Sequence, residues 1–214
     1  MKDKIIVITG ASSGIGKALA FEFGRNGAKV VLAARNCANL LEIETELHTL
    51  GIEALAVQTD VSCEIDCCKL NEKTLERFGK IDVLINNAGI SMRALFIDLQ
   101  LDVMRRLMDT NYWGTVYCTK FALPHLLKTK GSLLGVISIG GYIGMPGRSA
   151  YSASKFAVRG FLDSIRSENS KTGIHVLVVA PGFTASNIRR EALMADGSVQ
   201  GDTPRNEDHM MTAE

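Results

Sequence analysis

Two kinds of segment alternate along the chain. Short apolar runs rich in β-branched residues recur at IIVI (5–8), KVVLAA (29–34), IEALAV (52–57), IDVLI (81–85), SLLGVIS (132–138) and IHVLVVA (174–180). Their unbroken apolar character predicts strands covered on both faces, as in a parallel sheet. Between them lie longer stretches of helical period: 15–27, 39–51, 63–79, 99–128 and 151–170. Gly27, Gly51, Gly79 and Gly173 each follow such a stretch, where a C-terminal glycine cap falls. Strand-helix alternation at this rhythm predicts an α/β fold, a doubly wound parallel sheet with helices on both faces and right-handed crossovers. No linker, repeat or low-complexity segment interrupts it, so one domain is expected over residues 1–214.

After Pro181 the pattern changes. SNIRREALMADGSVQGDTPRNEDHMM is polar and irregular, which predicts a mobile binding loop or a disordered tail over 186–211. Thr212 has the chemistry of a cap for a helix running on from Ala213 and Glu214.

Bulk composition narrows the partners. A net charge of +1 gives no electrostatic reason to expect nucleic acid or an anionic membrane. The apolar part of MKDKIIVI is too short for a signal-peptide core, and no run approaches membrane-spanning length, so the expected compartment is cytoplasmic. Five cysteines without regular spacing fit reduced thiols. The cluster of Cys63, Cys67 and Cys68 lacks the second ligand pair of a zinc site, and no metal is expected.

The turn ITGASSGIGK (8–17) invites three chemistries. A triphosphate-gripping loop of G-x4-GK[ST] form fails on spacing. Counted from Gly10 its second glycine falls on Ile15, and counted back from Gly16-Lys17 it meets Ala11 and Ala18. A nucleophile elbow matches locally, since Gly10-Ala11-Ser12-Ser13-Gly14 reads G-x-S-x-G. It fails on context, because no earlier strand can supply an oxyanion hole, His175 lies inside an apolar run and His209 lies in the irregular tail. A dinucleotide cradle fits. Gly10, Gly14 and Gly16 let the backbone approach a pyrophosphate at a helix N-terminus, where unpaired N–H groups and the helix dipole favour an anion. The spacing is G-x3-G-x-G rather than G-x-G-x-x-G.

Downstream residues give the turn its context. TGASSGIG (9–16), NNAG (86–89), Asn111, Ser138, YSASK (151–155) and PGFT (181–184) occur in that order. Together they closely resemble the single-domain short-chain dehydrogenase/reductase family, from residue 4 to about residue 185, with its Rossmann-like fold. The resemblance implies an oxidoreductase that interconverts a ketone and a secondary alcohol by hydride transfer.

It also implies roles. Tyr151 and Lys155 share a helix face. Tyr151 is the implied general acid/base, and a neighbouring ammonium is expected to lower its pKa. Lys155 is implied to bind the nicotinamide ribose, Ser138 to orient the substrate oxygen, and Asn111 to hold a water linking Lys155 to solvent. Ser12, Ser13 and Ile15 join the three glycines in the cofactor turn, while Asn87, Ala88 and Gly89 line the cleft. Asp60 and Val61 are placed against the adenine, with a helix-capping aspartate before Ser62 as the alternative reading of Asp60. Pro181, Gly182 and Thr184 meet the nicotinamide end.

Arg35 bears on cofactor choice. NAD-binding sheets usually end the second strand with an acidic residue, whereas Ala34 and Arg35 stand here. A guanidinium binds a 2′-phosphate bidentately, so NADP(H) is expected, with NAD(H) left open. Met92, Arg93, Tyr142, Met145 and Phe183 border the implied substrate pocket and suggest a hydrophobic small-molecule ketone or alcohol. The family usually adds a further helix and a last strand, which this sequence is expected to lack. A homodimer or homotetramer through the helices at 99–128 and 151–170 is implied. Two rival readings remain: a non-catalytic dinucleotide-sensing regulator, which tends to lose the tyrosine or lysine, and a sugar-nucleotide epimerase, which needs a larger substrate domain.

Overall fold

The structure is a computed structural model and describes residues 1–201 and 210–213. All six apolar runs form strands: β1 (Ile5–Thr9), β2 (Lys29–Ala34), β3 (Ala54–Gln58), β4 (Val83–Asn86), β5 (Ser132–Val136) and β6 (His175–Val179). They pair in parallel in the order β3-β2-β1-β4-β5-β6. The chain therefore reverses its direction of travel across the sheet between β1 and β4. A crevice opens beyond the carboxyl ends of these two strands, where open α/β sheets bind ligands.

Both faces are covered, as the continuous apolar runs require. Ile6 and Ile8 of β1 pack with Ala20 of α1 (Gly14–Arg25) and with Leu40 and Leu47 of α2 (Cys37–Thr49). Ile5 and Val7 point the other way. They belong with Leu70 of α3 (Glu64–Phe78) and with Leu126 and Leu162 from two later helices. The strand β6 departs from expectation. It is half-exposed, with Leu177 51 % accessible, because it is the outer strand among the described residues.

The long helical stretch at 99–128 is not one uniform helix. It consists of α4 (Leu101–Leu107), a wider π-helical turn (Met108–Trp113) and α5 (Gly114–Thr129). Such a turn inserts a residue into the helical ladder, commonly at a functional position, and here it carries Asn111. The last helix, α6 (Ser149–Glu168), presents Tyr151 and Lys155 on its buried side.

At the amino edge of the sheet, Asp82 is almost fully buried. It pairs with Lys4 at 2.9 Å and Lys80 at 2.8 Å, and it accepts from the Ile5 N–H at 2.9 Å. Burial alone would raise the Asp82 pKa, but hydrogen bonds from Lys80, Ile5 and Lys4 outweigh it and hold the carboxyl below its ordinary value.

The segment after β6 corrects the expectation of a mobile loop for its described part. Leu193 N–H donates to the Ser91 carbonyl at 2.9 Å, and Arg93 N–H donates to the Leu193 carbonyl at 2.8 Å. Ala192 and Leu193 are both buried. Burying one leucine is worth about 1.5–3 kcal/mol, enough with these hydrogen bonds to hold the segment in place. Residues 202–209 of the expected loop lie outside the described residues, as does the helix expected beyond Ala213.

Candidate active site

The crevice is an open cleft of about 660 Å³. Its floor is the glycine-rich turn between β1 and α1. Gly10 has φ +66°, and a Cβ there would stand 2.9 Å from the Ala88 Cα. A Cβ on Gly16 would overlap the Gly10 carbonyl and lie 2.6 Å from Asn87 Nδ2. Glycine is therefore required by close backbone approach between the β1 turn and the β4 end. Asn87 fastens that approach, donating through Nδ2 to the carbonyls of Thr9 at 2.9 Å and Gly10 at 3.2 Å.

The start of α1 is open to an anion. Ser13 makes no side-chain capping bond, and no acidic residue lies in the first turn. First-turn N–H groups are thus left for a ligand, in the positive end of the helix dipole.

Most of the residues expected to hold the cofactor line this one cleft: Gly10, Ser12, Ser13, Gly14, Ile15, Arg35, Asp60, Val61, Asn87, Ala88 and Gly89. Gly16 lies just beneath, buried. Arg35 is exposed at the end of β2 and makes no ion pair among the described residues. Asp60 lines the cleft and also accepts from the N–H and hydroxyl of Ser62, at 3.0 and 2.6 Å. The helix-capping reading of Asp60 does not hold, because it closes a local turn and the N-cap of α3 is Cys63.

Pro181, Gly182 and Thr184 do not line the cleft. They lie beyond β6, where Thr184 bridges to Met211 and Ala185 N–H donates to the Met211 carbonyl at 2.8 Å. The segment from Ser186 to Glu191 returns to the cleft. A Cβ on Gly14 would meet that of Ser186 at 3.1 Å.

Ser138, Tyr151, Lys155 and Asn111 sit beside the cleft, behind its Gly89-Ile90 wall. A Cβ on Gly89 would stand 3.2 Å from Asn111 Oδ1 and 3.3 Å from Lys155 Nζ. Asn111 is buried and latched to that wall. Its Oδ1 accepts from Ile90 N–H at 2.8 Å, and Nδ2 donates to the Ile90 carbonyl at 3.0 Å and to Ser154 Oγ at 2.9 Å. Lys155 is buried, and its ammonium donates to the Val136 carbonyl at 2.9 Å. Burial pushes its pKa down from 10.5 to about 8. Ser138 follows β5 at the start of a short 3-10 turn, and its Oγ accepts from Gly140 N–H at 3.2 Å.

Tyr151 corrects one expectation. Its pKa is raised rather than lowered, because burial disfavours phenolate more than its neighbours favour it. The groups that pull it back are the Ser138 side-chain hydrogen bond and the charge of Arg148. Lys155 is no counterweight here. Its Nζ stands 6.0 Å from the Tyr151 ring centroid, and the same burial weakens its own hold on the proton.

Several residues at the site were not anticipated. The Thr9 hydroxyl accepts from the backbone N–H groups of Asn87 and Ala88, both at 3.0 Å, and so positions the NNAG segment. Its signals were its place at the head of TGASSGIG and its polarity at the end of an apolar strand, neither of which assigned it a role. Asn36, Asn39 and Thr110 line the cleft without any distinguishing motif. Arg148 donates through Nη1 to Ser91 Oγ at 2.7 Å and to the Met92 carbonyl at 2.6 Å. Its place three residues before the tyrosine could have drawn notice.

Known proteins resemble this chain in sequence and in fold. A family model described as short chain dehydrogenase matches residues 4–196. Dehydrogenase/reductase SDR family member 7B of Bos taurus is 40 % identical over 210 residues, covering 94 % of this chain and 64 % of that protein. An Arabidopsis thaliana 11-beta-hydroxysteroid dehydrogenase-like 4A is 40 % identical over 195 residues, covering 90 % of this chain and 65 % of that protein. The chain thus spans just under two-thirds of the length of these relatives.

Among solved structures, an alcohol dehydrogenase from the archaeon Thermococcus sibiricus, complexed with 5-hydroxy-NADP, superposes with a TM-score of 0.88 at 28 % identity. That match covers 99 % of this chain and 86 % of the other. A Burkholderia phymatum short chain dehydrogenase/reductase in complex with NAD gives 0.86 at 27 % identity, covering 97 % and 74 %. With the glycine turn, the NNAG wall and the tyrosine–lysine helix assembled around one switch-point cleft, the chain belongs to the short-chain dehydrogenase family.

Proposed function

We propose that the protein is an NADP(H)-dependent oxidoreductase that interconverts a hydrophobic ketone and the corresponding secondary alcohol. The observation that carries this reading is the cleft whose Gly10–Gly16 floor only a bare backbone can form, lying against the buried Lys155 ammonium and the neighbouring Tyr151. The residues present fit a dinucleotide. The α1 N-terminus and the glycine turn would hold its pyrophosphate, Asp60 and Val61 would face the adenine, and Lys155 would take the nicotinamide ribose hydroxyls. Pro181, Gly182 and Thr184 would flank the carboxamide end. The bound nicotinamide supplies the hydride donor or acceptor.

The chain's own residues manage the proton. Tyr151, kept protonated by burial, gives its phenolic proton to the carbonyl oxygen as charge gathers there, and in reverse takes it from the alcohol. Ser138 fixes the direction of that oxygen, and its hydrogen bond and the Arg148 charge ease formation of the phenolate. Asn111 acts by anchoring the Gly89-Ile90 wall next to Lys155, with a water relay at that position as its second role. Tyr151→Phe is expected to abolish turnover while leaving dinucleotide affinity within about twofold. Retained turnover, measured by absorbance of the reduced cofactor, would defeat the assignment.

Arg35 supports the NADP(H) preference, because its exposed guanidinium stands at the end of β2 without a carboxylate partner among the described residues. A fluorescence titration should show tighter NADPH than NADH binding, and Arg35→Asp should reverse the order through repulsion of the 2′-phosphate. An unreversed order would remove Arg35 from that role. Association into a dimer or tetramer is part of the same reading. It is supported by Trp113, 43 % exposed just before α5, and Phe156, 42 % exposed on α6.

A further inference from the structure

Residues 90–94 continue the cleft wall into the buried apolar cluster that contains Tyr151. Each part of this strap is tied down. Asn111 holds Ile90 through two hydrogen bonds. Leu193 pairs with it from the loop after β6, bonding the Ser91 carbonyl and the Arg93 N–H. Ala94 N–H donates to the Gly147 carbonyl at 3.2 Å, just ahead of α6. The remaining tie is Arg148. Its Nη1 donates both to Ser91 Oγ at 2.7 Å and to the Met92 carbonyl at 2.6 Å. Bonds from an ionised donor at such distances are roughly twice as strong as neutral ones.

Helix stability does not select an arginine at this place. Arg148 is the N-cap of α6, where Ser, Thr, Asp or Asn would satisfy free N–H groups and the helix dipole disfavours a cation. It makes no capping bond, and its guanidinium is turned to Ser91 and Met92 instead. Met92 is fully buried and shares its apolar cluster with Ala150, Tyr151 and Leu193. One side chain thus joins the start of the tyrosine helix to the wall of the cluster in which that tyrosine is sunk. Arg148 and Tyr151 are less than one helical turn apart. Burial is also what keeps the proton on the phenol, so the cluster that Arg148 fastens serves the chemistry directly.

We propose that Arg148 is a positioning residue for proton transfer: by clamping Ser91 and Met92 to the start of α6, it fixes the place of the Tyr151 phenol. The assignment rests on the oxidoreductase reading and adds to it a residue that acts through the tyrosine rather than on the substrate. Ser91 is the matching half of the clamp.

The chain has four tyrosines, so the full protein labelled with ¹³C at tyrosine Cζ gives four signals, and Tyr151→Phe identifies the one that matters. Spectra are recorded with NADP⁺ bound. Arg148→Met keeps most of the side chain's length and removes the clamp. Ser91→Ala removes one acceptor and leaves the Arg148 charge in place, so a signal that moves there reports position rather than charge. It is also the milder change, and serves if Arg148→Met does not fold. In both variants the Tyr151 signal should shift or broaden, while those of Tyr112 and Tyr117, in a separate aromatic group, stay in place. With NADPH and 2-decanone, Arg148→Met should lower kcat by about tenfold or more, with KM and NADPH affinity within about twofold. Ser91→Ala should cost less, and adding it to Arg148→Met should slow the enzyme no further, because both remove the same clamp.

A Tyr151 signal that stays in place in both variants overturns the proposal, as does full addition of the two kinetic effects. Equal movement of all four signals overturns it too, because the arginine would then serve the fold at large. If 2-decanone is inert with the wild type, the spectra decide. Failure of the wild type to bind NADPH or NADH sinks the oxidoreductase reading and this proposal together, whereas intact binding with an unmoved Tyr151 signal sinks the proposal alone.

Discussion

Thr9→Val isolates the contribution of one oxygen atom to the geometry of the cleft. The Thr9 side chain is 1 % exposed. Its hydroxyl accepts from two backbone N–H groups, Asn87 and Ala88, both at 3.0 Å, and donates to the Ile85 carbonyl at 3.4 Å. Valine keeps the shape and the methyl group but removes the acceptor, leaving both N–H groups unpaired. Each buried donor left without a partner costs about 1–3 kcal/mol. Asn87 and Ala88 are only partly buried and line the cleft, so water can reach them in part. The low half of the range, about 1–2 kcal/mol for each donor, is therefore appropriate, and the total is about 2–4 kcal/mol.

Thr9→Ser provides the contrast. It keeps the oxygen and loses one buried methyl, worth about 1 kcal/mol. Urea denaturation should then rank the proteins wild type, Ser, Val, with the Val midpoint lowered by about 1 M. Dinucleotide affinity should follow the same order, because the mispositioned NNAG segment forms one wall of the cleft. A Val variant as stable as the Ser variant would refute the reasoning, since it would mean that the hydroxyl holds nothing.

Two further outcomes follow from the site. Gly16→Ala forces a methyl against the Gly10 carbonyl and Asn87 Nδ2, a strain of about 1–3 kcal/mol; NADPH titration should show at least about tenfold weaker binding, and unchanged affinity would contradict the close approach. Lys155 has a folded-state pKa of about 8 against an ordinary 10.5, so its stabilising contribution is present above the unfolded value and is lost as pH falls toward 8. Urea midpoints across that alkaline window should decline toward 8 in the wild type relative to Lys155→Met and run parallel below it.

What could be read from the sequence was what depends on neighbours along the chain. The six apolar runs became the six strands because continuous burial on two faces leaves a continuous apolar pattern. The glycine turn was legible because close backbone approach admits only one residue type. Other features depended on contacts between distant segments. The π-helical turn at Asn111 is tied to Ile90, and nothing within 99–128 announces that partner. The loop after β6 looked unstructured because its composition is polar, yet two small apolar residues, Ala192 and Leu193, suffice to pin it beside Ser91 and Arg93. The direction of the Tyr151 pKa was missed for a related reason. Helical spacing placed a lysine nearby, but the depth of burial is set by the whole fold.

The buried Asp82 network gives β1 an unusual standing in the life of the molecule. At one end of the β1–β4 pair, Asp82 holds the Ile5 N–H and the ammonium groups of Lys4 and Lys80. At the other end, Thr9 and Asn87 bind the same two strands together. All five side chains of β1, Thr9 included, are buried. Fraying from either end therefore has to break hydrogen bonds, charge-assisted ones at the Asp82 end, before it reaches an apolar residue. The amides of β1 should exchange with deuterium only when the whole domain opens, whereas those of the half-exposed β6 exchange through smaller local openings. The two strands that flank the cofactor crevice are then the last part of the sheet to part company.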